Sequence, residues 1–303
     1  MSTIVFSNNL TKEYKTKKET VLAVNQVSFN VEEGQIVGLV GPNGAGKSTI
    51  IKMICGILHP TSGELMVLGM DPSKERKKVI PNLGVMFGNR SSLWYNLPAL
   101  DSVRLMRYIY GIDKHVFDQR LKKYVAILNA SDILDKPVRQ MSLGQKVKIE
   151  LLVTVLHNPK LLILDEPTLG LDILTKSQFR DALVNLAMQQ TTIILTTHDL
   201  SDVEKICDHI IFINHGKKLL DLQNAEFQQM MDQFEVILLE GNEKTLEGLE
   251  RDPFFRERIG ESCKFFVPKK DKKEFMERVL REDDLLLKTQ KPNLEDLLYE
   301  YYH

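Results

Sequence analysis

The nine residues GPNGAGKST, at positions 41–49, constrain this chain more than any other stretch. They match the pattern G-x-x-x-x-G-K-[ST]. Glycine lets the backbone curl until successive N–H groups point at one anion, and a helix that follows adds its positive N-terminal end. Lys47 can neutralise the outer phosphates of a nucleotide, and the Ser48 hydroxyl can ligate Mg²⁺. The stretch therefore predicts a loop that holds a nucleoside triphosphate.

The flanking sequence predicts the strand and the helix that such a loop needs on either side. QIVGLV, at 35–40, is a short apolar run typical of a buried strand. KSTIIKMICGIL then predicts a helix with the apolar stripe Ile50, Ile51, Met53, Ile54, Ile57 and Leu58. Further buried strands are predicted at 161–165 (LLILD), 191–197 (TTIILTT) and 210–213 (IIFI). Strands that alternate with helices indicate an α/β fold with a largely parallel sheet, here of the P-loop NTPase class.

Two features predict how the chain is divided. Residues 99–157 have a mostly helical pattern, which indicates a helical insert between sheet strands. Beyond about residue 218, FEVILLE, CKFFVP and DLLLKTQ predict strands, and KKEFMERVLRE and NLEDLLYEYY predict helices, the second capped by Asn293. We expect a first domain at 1–218, with a helical subdomain at about 99–157, and a small C-terminal α/β domain at 219–303.

The composition excludes several classes of function. The formal net charge of −1 argues against nucleic-acid binding. Cys55, Cys207 and Cys263 follow no metal-ligand spacing, which favours reduced thiols in a cytosolic protein. The N-terminus lacks the order of a signal peptide, and no apolar run approaches membrane-spanning length. We therefore expect any membrane role to act through a partner.

The segment LLILDEP places Asp165 and Glu166 at the end of a predicted buried strand. One carboxylate there can hold Mg²⁺, and the adjacent one can polarise an attacking water. Acidic residues often end strands without a catalytic role. The functional interpretation therefore depends on the glycine loop earlier in the chain.

The segment MSLGQKVKIELLVTVLHNP opens with Ser142 followed by Gln145, the spacing of a capping box. It predicts a helix that stops before Pro159. A cap alone explains the pattern, but a helix N-terminus with a serine and a glycine is also an anion site.

The segment TTHDL places His198 after another predicted buried strand. Ligands of open α/β sheets bind at the carboxyl edge of the strands, where this side chain would lie. A single histidine is more often structural, so both interpretations stay open at this point.

Taken together, these motifs resemble the nucleotide-binding domain of ABC ATPases. In order they are an aromatic residue in LTKEYK, then GPNGAGKST, MSLGQ, LLILDEP, TLGLD and TTHDL. The resemblance covers about residues 4–218. It implies an ATPase that uses ATP and Mg²⁺.

The resemblance implies a role for each matching position. Tyr14 would stack on adenine, with a core tyrosine as the alternative. The nucleotide would be bound by the Walker A residues Gly41, Pro42, Asn43, Gly44, Ala45, Gly46, Lys47, Ser48 and Thr49. The signature residues Ser142, Gly144 and Gln145 would bind the γ-phosphate of ATP held by a second subunit. Asp165 would hold the metal together with Ser48. Glu166 would be the general base, and Lys47 and His198 would assist catalysis, with His198 contacting the γ-phosphate. Asp172 would lie at the dimer interface.

Two positions depart from the family pattern. Leu143 stands where the signature usually has its first glycine, although the backbone N–H survives. Asn89 stands where the family has a glutamine that reaches the nucleotide, Mg²⁺ and the attacking water. Asparagine keeps the carboxamide but is one methylene shorter, and Gly88 is an extra residue beside it.

The resemblance also implies partners. The loop with Trp94 and Tyr95 lies where ABC transporters dock their membrane subunit, with local core packing as the alternative. The C-terminal ending resembles ATPase subunits of bacterial exporters, including drug-resistance types. We expect a homodimer without nucleic acid, cytoplasmic and peripheral on the inner face of the cell membrane through a polytopic permease.

Other functions fit the same motifs. One is a soluble ABC ATPase in an assembly process, such as iron–sulfur cluster biogenesis. Another is an ATP-gated binding clamp whose slow turnover times release. A P-loop kinase is a more distant alternative, because it would not need MSLGQ or the histidine.

The departure at Asn89 gives a first prediction. If Asn89 does the work of the family's glutamine, Asn89→Gln should leave ATPase activity equal or higher, because the carboxamide gains reach. Steady-state phosphate release measures this. A variant that folds but is inactive would mean that this loop is built differently.

Overall fold

The fold is taken from a computed structural model of the chain. The structure describes residues 2–15, 19–88, 91–197, 199–279, 285–293 and 296–297. They belong to two compact units, Met1–Asp221 (unit 1) and Leu222–His303 (unit 2). Asn89 and His198, two of the predicted site residues, lie outside the described residues.

Unit 1 alternates strands with helices, as its sequence predicts. Its strands are β1 (Thr3–Lys15), β2 (Thr20–Glu32), β3 (Ile36–Val40), β4 (Ser62–Val67), β5 (Leu83–Phe87), β6 (Leu161–Asp165), β7 (Thr192–Thr197), β8 (His209–Asn214) and β9 (Lys217–Gln223). Its helices are α1 (Lys47–Ile54), α2 (Arg76–Val79), α3 (Ala99–Ile109), α4 (Lys114–Leu128), α5 (Leu143–Val155), α6 (Ile173–Ala187) and α7 (Leu200–Ile206). Short 3-10 turns occur at Ile80–Asn82, Ser131–Ile133 and Val138–Gln140.

The central sheet of unit 1 brings the motif-bearing strands side by side. Its strand order is β5-β6-β7-β3-β8-β9, and the pairs from β5 to β8 are parallel. All five residues of β3 are buried. Because the carboxyl ends of parallel strands meet at one edge, the glycine loop after β3 and the carboxylates after β6 share that edge. The predicted α/β class with a largely parallel sheet is confirmed.

A second sheet, which the sequence did not predict, covers α1. It is antiparallel with the order β2-β1-β4. The register of β1 against β2 shifts between Ser7 and Leu10, and Asn9 there has a positive φ of 49°. Such irregularities break the strict alternation that marks a half-buried strand. Residues of β1 and β2 form one core with the apolar stripe of α1.

The helix after the glycine loop is shorter than predicted. Ile50, Ile51, Met53 and Ile54 of α1 are fully buried, but Ile57 lies beyond the helix and is 46% exposed. Gly56 has a φ of 62° and turns the chain, and a Cβ there would lie 2.3 Å from the Pro72 carbonyl oxygen. The expectation that Ile57 belongs to the buried stripe is therefore wrong, because this glycine ends the helix first.

Between β5 and β6 the chain forms α3, α4 and α5. The capping box at the start of α5 is present, with the Ser142 hydroxyl accepting from the Gln145 N–H and the Gln145 carboxamide accepting from the Ser142 N–H. The helix ends at Val155, before Pro159 as predicted. No helix among the described residues is long and apolar enough to cross a membrane.

Unit 2 is a small antiparallel sheet with helices. Its elements are α8 (Asn224–Met231), β10 (Phe234–Glu240), α9 (Glu243–Leu249), β11 (Phe255–Ile259), β12 (Ser262–Pro268), α10 (Lys272–Val279) and β13 (Leu286–Gln290), with the strand order β11-β12-β10-β13. Ile237, Leu239, Phe265 and Phe275 belong to its buried core. The Asn293 side chain accepts from the Asp296 N–H at 3.1 Å, the contact of a cap. Most of the helix predicted to follow lies outside the described residues.

A buried ion pair in unit 1 generates a stability prediction. The Arg180 guanidinium lies 2.6 Å from Asp202, which also accepts from the Thr168 hydroxyl at 2.6 Å, and all three residues are buried. Asp202→Ala should lower the free energy of unfolding by about 3–5 kcal/mol, because a buried cation loses its counter-charge. Urea unfolding followed by Trp94, the one tryptophan of the chain, reports on unit 1.

Asp181, on the exposed face of α6, supplies the control. Asp181→Ala should change the free energy of unfolding by less than about 0.5 kcal/mol. Equal effects of the two substitutions would show that the buried pair does not stabilise unit 1.

Candidate functional site

The glycine loop is held between β3 and α1 by close backbone contacts. Gly41 has a φ of 149°, and a Cβ there would lie 2.0 Å from the Ile213 carbonyl oxygen of β8. Gly46 has a φ of 108°, and its Cβ would lie 2.4 Å from the Ala23 carbonyl oxygen of β2. Neither position has room for a side chain. Gly44 also has a positive φ but faces open space in the cleft described next.

A cleft of about 720 Å³ lies between three parts of unit 1. One wall is the loop itself, from Asn43 to Thr49, with Ala23 beside it. A second wall carries Asp165 and Glu166 at the end of β6. A third is formed by the loop after β5 and by one face of α5, with Gly88, Ser91, Leu143, Lys146, Val147 and Glu150.

Lys47 is buried at the floor of the loop. Its Nζ donates to the carbonyl oxygens of Gly41 at 2.6 Å and Pro42 at 3.0 Å. Burial lowers the pKa of Lys47 below its ordinary value, and the carboxylates of Glu166 and Asp165 oppose that shift. Both of these hydrogen bonds go to neutral carbonyls, so an anion in the cleft would give the ammonium a counter-charge.

Asp165 and Ser48 form an oxygen-rich corner of the cleft. The Ser48 hydroxyl donates to Asp165 Oδ2 at 3.4 Å, and the Thr196 hydroxyl of β7 donates to Asp165 Oδ1 at 2.6 Å. No group of three or more His, Cys, Asp or Glu in the described parts of the chain could cage a metal. Mg²⁺ needs no such cage, because it commonly takes one or two protein oxygens together with phosphates and water. The pair Asp165 and Ser48 therefore fits Mg²⁺.

Glu166 is held in an unusual backbone conformation. Its φ is 52°, and its N–H donates to both the Thr196 carbonyl oxygen and the Thr196 hydroxyl, at 3.1 and 3.0 Å. A non-glycine residue in this region is strained and persists only where neighbours fix it. Thr196 thus orients both carboxylate residues, a role that the sequence analysis missed. The position of β7 beside β6 was the signal that could have revealed it.

The signature residues do not share the cleft with the glycine loop. The described lining of the cleft takes Leu143, Lys146 and Val147 from α5, but not Ser142, Gly144 or Gln145. A Cβ on Gly144 would lie 2.5 Å from the Thr175 methyl carbon of α6, so this glycine allows α5 and α6 to approach closely. Leu143, where the family has glycine, is half exposed.

Two aromatic sites are on the surface. Tyr14, near the end of β1, is 39% exposed and lies 5.5 Å from Lys12 Nζ, so it is not a core residue. It pairs with Val21 of β2, two residues from the cleft-lining Ala23. Trp94 and Tyr95 are 46% and 61% exposed, which does not fit local core packing.

The chain is similar in sequence to proteins of a known family. The family model described as ABC transporter matches residues 24–169. The ABC transporter ATP-binding protein NatA of Bacillus subtilis (strain 168) is 32% identical over 206 residues, which cover 68% of this chain and 84% of that protein. The bacitracin transport ATP-binding protein BcrA of Bacillus licheniformis is 34% identical over 223 residues, covering 73% and 70%.

Solved structures agree with these relatives. The structure of cbiO1 from Clostridium perfringens, described as part of the ABC transporter complex cbiONQ, matches with a TM-score of 0.68 and 25% identity, covering 84% of this chain and 97% of that chain. A bacterial ABC transporter cassette solved as a dimer matches with a TM-score of 0.65 and 25% identity, covering 73% and 98%.

The crowding at Gly46 gives a prediction for the site. Gly46→Ala should destroy nucleotide binding, because its Cβ cannot coexist with the Ala23 carbonyl oxygen and the loop must shift. Gly111→Ala is the matched control: Gly111 also has a positive φ, but it has open space around it and lies outside the cleft lining. Calorimetric titration with ATP distinguishes them. Similar affinities in the two variants would refute the geometric requirement.

Proposed function

The chain belongs to the ATP-binding proteins of ABC transporters, and from this premise we propose that it binds and hydrolyses ATP to power a separate membrane permease, in the direction of export. The observation that carries the proposal is the cleft itself. It combines the glycine loop, a buried lysine and two adjacent carboxylates. The similarity to the bacitracin transport protein BcrA supports a role in transport.

Binding starts from the loop. Its N–H groups and the N-terminus of α1 receive the phosphates, and Lys47 exchanges neutral carbonyl partners for phosphate oxygens. Tyr14, on the open surface of β1, stacks on the adenine. Asp165, Ser48 and Asn89 hold Mg²⁺, which when bound neutralises charge on the phosphates.

Hydrolysis is assigned to Glu166. Its carboxylate accepts a proton from the water that attacks the γ-phosphate, so Glu166 acts as the general base. The two hydrogen bonds from its N–H to Thr196 keep it at the end of β6, beside Asp165. His198, directly after β7, contacts the γ-phosphate in this proposal.

The working unit is a head-to-tail homodimer. Ser142, Gly144 and Gln145 are absent from the described lining of their own chain's cleft, which supports a second copy supplying them to each ATP. Leu169, Ile173 and Leu174 are strongly exposed around Asp172, which caps α6. An apolar surface of this kind favours association with another copy. ATP joins the halves, and hydrolysis removes the bridge.

The permease is proposed to dock on the exposed Trp94 and Tyr95. Aromatic side chains that are both apolar and exposed are common anchors of protein interfaces. The solved relative cbiO1 is part of a transporter complex, which supports a membrane partner. The chain would then lie peripherally on the inner face of the cell membrane.

Replacing the general base tests the enzymatic part of the proposal. Glu166→Gln should still bind ATP but should lower turnover by about 10²–10⁴-fold, because the amide cannot accept the proton. It should also trap an ATP-bound dimer, visible by analytical ultracentrifugation. Lys47→Ala, which removes the phosphate-binding cation, should instead lose ATP binding. Wild-type turnover in Glu166→Gln would remove Glu166 from this role.

A pull-down tests the transport part. The tagged chain is expressed at its native level, membranes are solubilised in mild detergent, and co-purifying proteins are identified by mass spectrometry. A stoichiometric polytopic membrane protein would support a permease partner. A chain with only cytosolic partners would refute the transporter proposal and leave the ATP chemistry to an assembly or clamp function.

A further inference from the structure

Residues 91–97, here called the tether segment, are fixed to α5 through Glu150. The Glu150 carboxylate accepts from the Ser91 hydroxyl and, at 3.0 Å, from the Ser92 N–H through Oε1. Its other oxygen accepts from the Ser92 hydroxyl at 2.6 Å. Hydrogen bonds to an ionised acceptor are roughly twice as strong as neutral ones. Both oxygens of one side chain therefore hold this end of the segment.

Further contacts hold the rest of the tether segment against the helical part of unit 1. The Trp94 N–H donates to the buried Ser102 hydroxyl of α3 at 2.9 Å. The Arg139 N–H donates to the Tyr95 carbonyl oxygen at 2.8 Å. Lys146 Nζ lies 5.7 Å from the centre of the Tyr95 ring, within range of a cation–π contact. Lys146 precedes Glu150 by one helical turn, so α5 touches the segment twice.

The chain just before the tether segment is fixed to the sheet instead. The Gly88 N–H donates to the Asp165 carbonyl oxygen at 3.0 Å, and a Cβ on Gly88 would lie 2.8 Å from that oxygen. Only two residues of the sequence separate Gly88 from Ser91, a reach of at most about 11 Å. The described residues on the two sides of this short stretch are thus fixed to different elements, Gly88 to β6 and Ser91 to α5.

We propose that Glu150 is a positioning residue that makes the Trp94 surface move as one body with α5. The inference rests on the proposed function, because it takes the cleft that α5 lines as the ATP site. Lys146, Val147 and Glu150 line the cleft, while Ser142 begins the same 13-residue helix, about 20 Å long. One helix thus joins the nucleotide cleft, the signature motif and the permease-docking surface. Without the Glu150 contacts, the docking surface follows α5 less closely, because, of the contacts described above, only those to Ser102, Arg139 and Lys146 remain.

The single tryptophan of the chain makes this measurable in the full-length protein. Trp94 emission and its quenching by acrylamide are recorded without nucleotide and with saturating ATP and Mg²⁺, and ATP binding is verified by calorimetry. In the wild type, ATP should shift the emission. In Glu150→Ala, quenching without nucleotide should increase and the ATP-induced shift should be smaller. Because each variant is saturated with ATP, a change in its affinity for ATP does not affect the comparison.

Two further variants separate positioning from a general loss of stability. Ser92→Ala removes the hydrogen bond from the Ser92 hydroxyl to Glu150 and keeps the one from the Ser92 backbone N–H. It leaves α5 unchanged, so it should reproduce part of the Glu150→Ala effect. The double variant should be no worse than Glu150→Ala alone, because both changes break the same contact. Glu150→Gln, which keeps an oxygen acceptor, should restore part of the shift. Asp118→Ala, on the exposed surface of α4, should behave as wild type.

The outcomes are distinguishable. Wild-type quenching and a wild-type ATP shift in Glu150→Ala would overturn the inference and leave the proposed function intact. Additive effects of Ser92→Ala and Glu150→Ala would also overturn it. Absence of ATP binding by the wild-type chain would refute the proposed function, and with it the positioning role of Glu150.

Discussion

The site depends on two close contacts between main-chain atoms, at Gly41 and Gly46. The loop passes within reach of the carbonyl oxygens of Ile213 in β8 and Ala23 in β2, where no side chain fits. This contact ties the parallel sheet, the antiparallel sheet and the start of α1 to one short stretch of chain. It also explains why Lys47 is buried: the loop folds over its side chain, and the ammonium donates to two of the loop's own carbonyls.

Local pattern predicted the fold where a segment is uniformly buried. LLILD coincides with β6, and the strand before the loop lies within QIVGLV, because strands covered on both faces read as continuous apolar runs. The antiparallel sheet escaped prediction because its strands contain irregular positions such as Asn9 and Gln26, both at positive φ. Ile57 was misplaced because periodicity cannot show that Gly56 reverses the chain. These misses arise from backbone geometry that depends on contacts distant in sequence.

For the candidate site, the sequence identified the motif residues but not the residues that hold them. Lys47, Ser48, Asp165 and Glu166 do line one cleft. Thr196 and Glu150 were missed, since each acts through a partner far away in sequence: Thr196 on the end of β6, and Glu150 on Ser91 and Ser92. Which residues form such pairs depends on the order of strands in the sheet and on how the helices pack. The separation of the signature residues from their own cleft likewise becomes visible only in three dimensions.

The burial of α1 has a consequence for how the loop fluctuates. Ile50, Ile51, Met53 and Ile54 occupy the core between the two sheets, so the helix cannot detach without exposing that core to water. Local opening of α1 should therefore cost nearly as much free energy as unfolding unit 1, which places its amides among the slowest to exchange with solvent. Many ligand-binding loops belong to the least stable part of a protein. Here the glycine loop is joined directly to α1, which we expect to be among the most stable elements of unit 1.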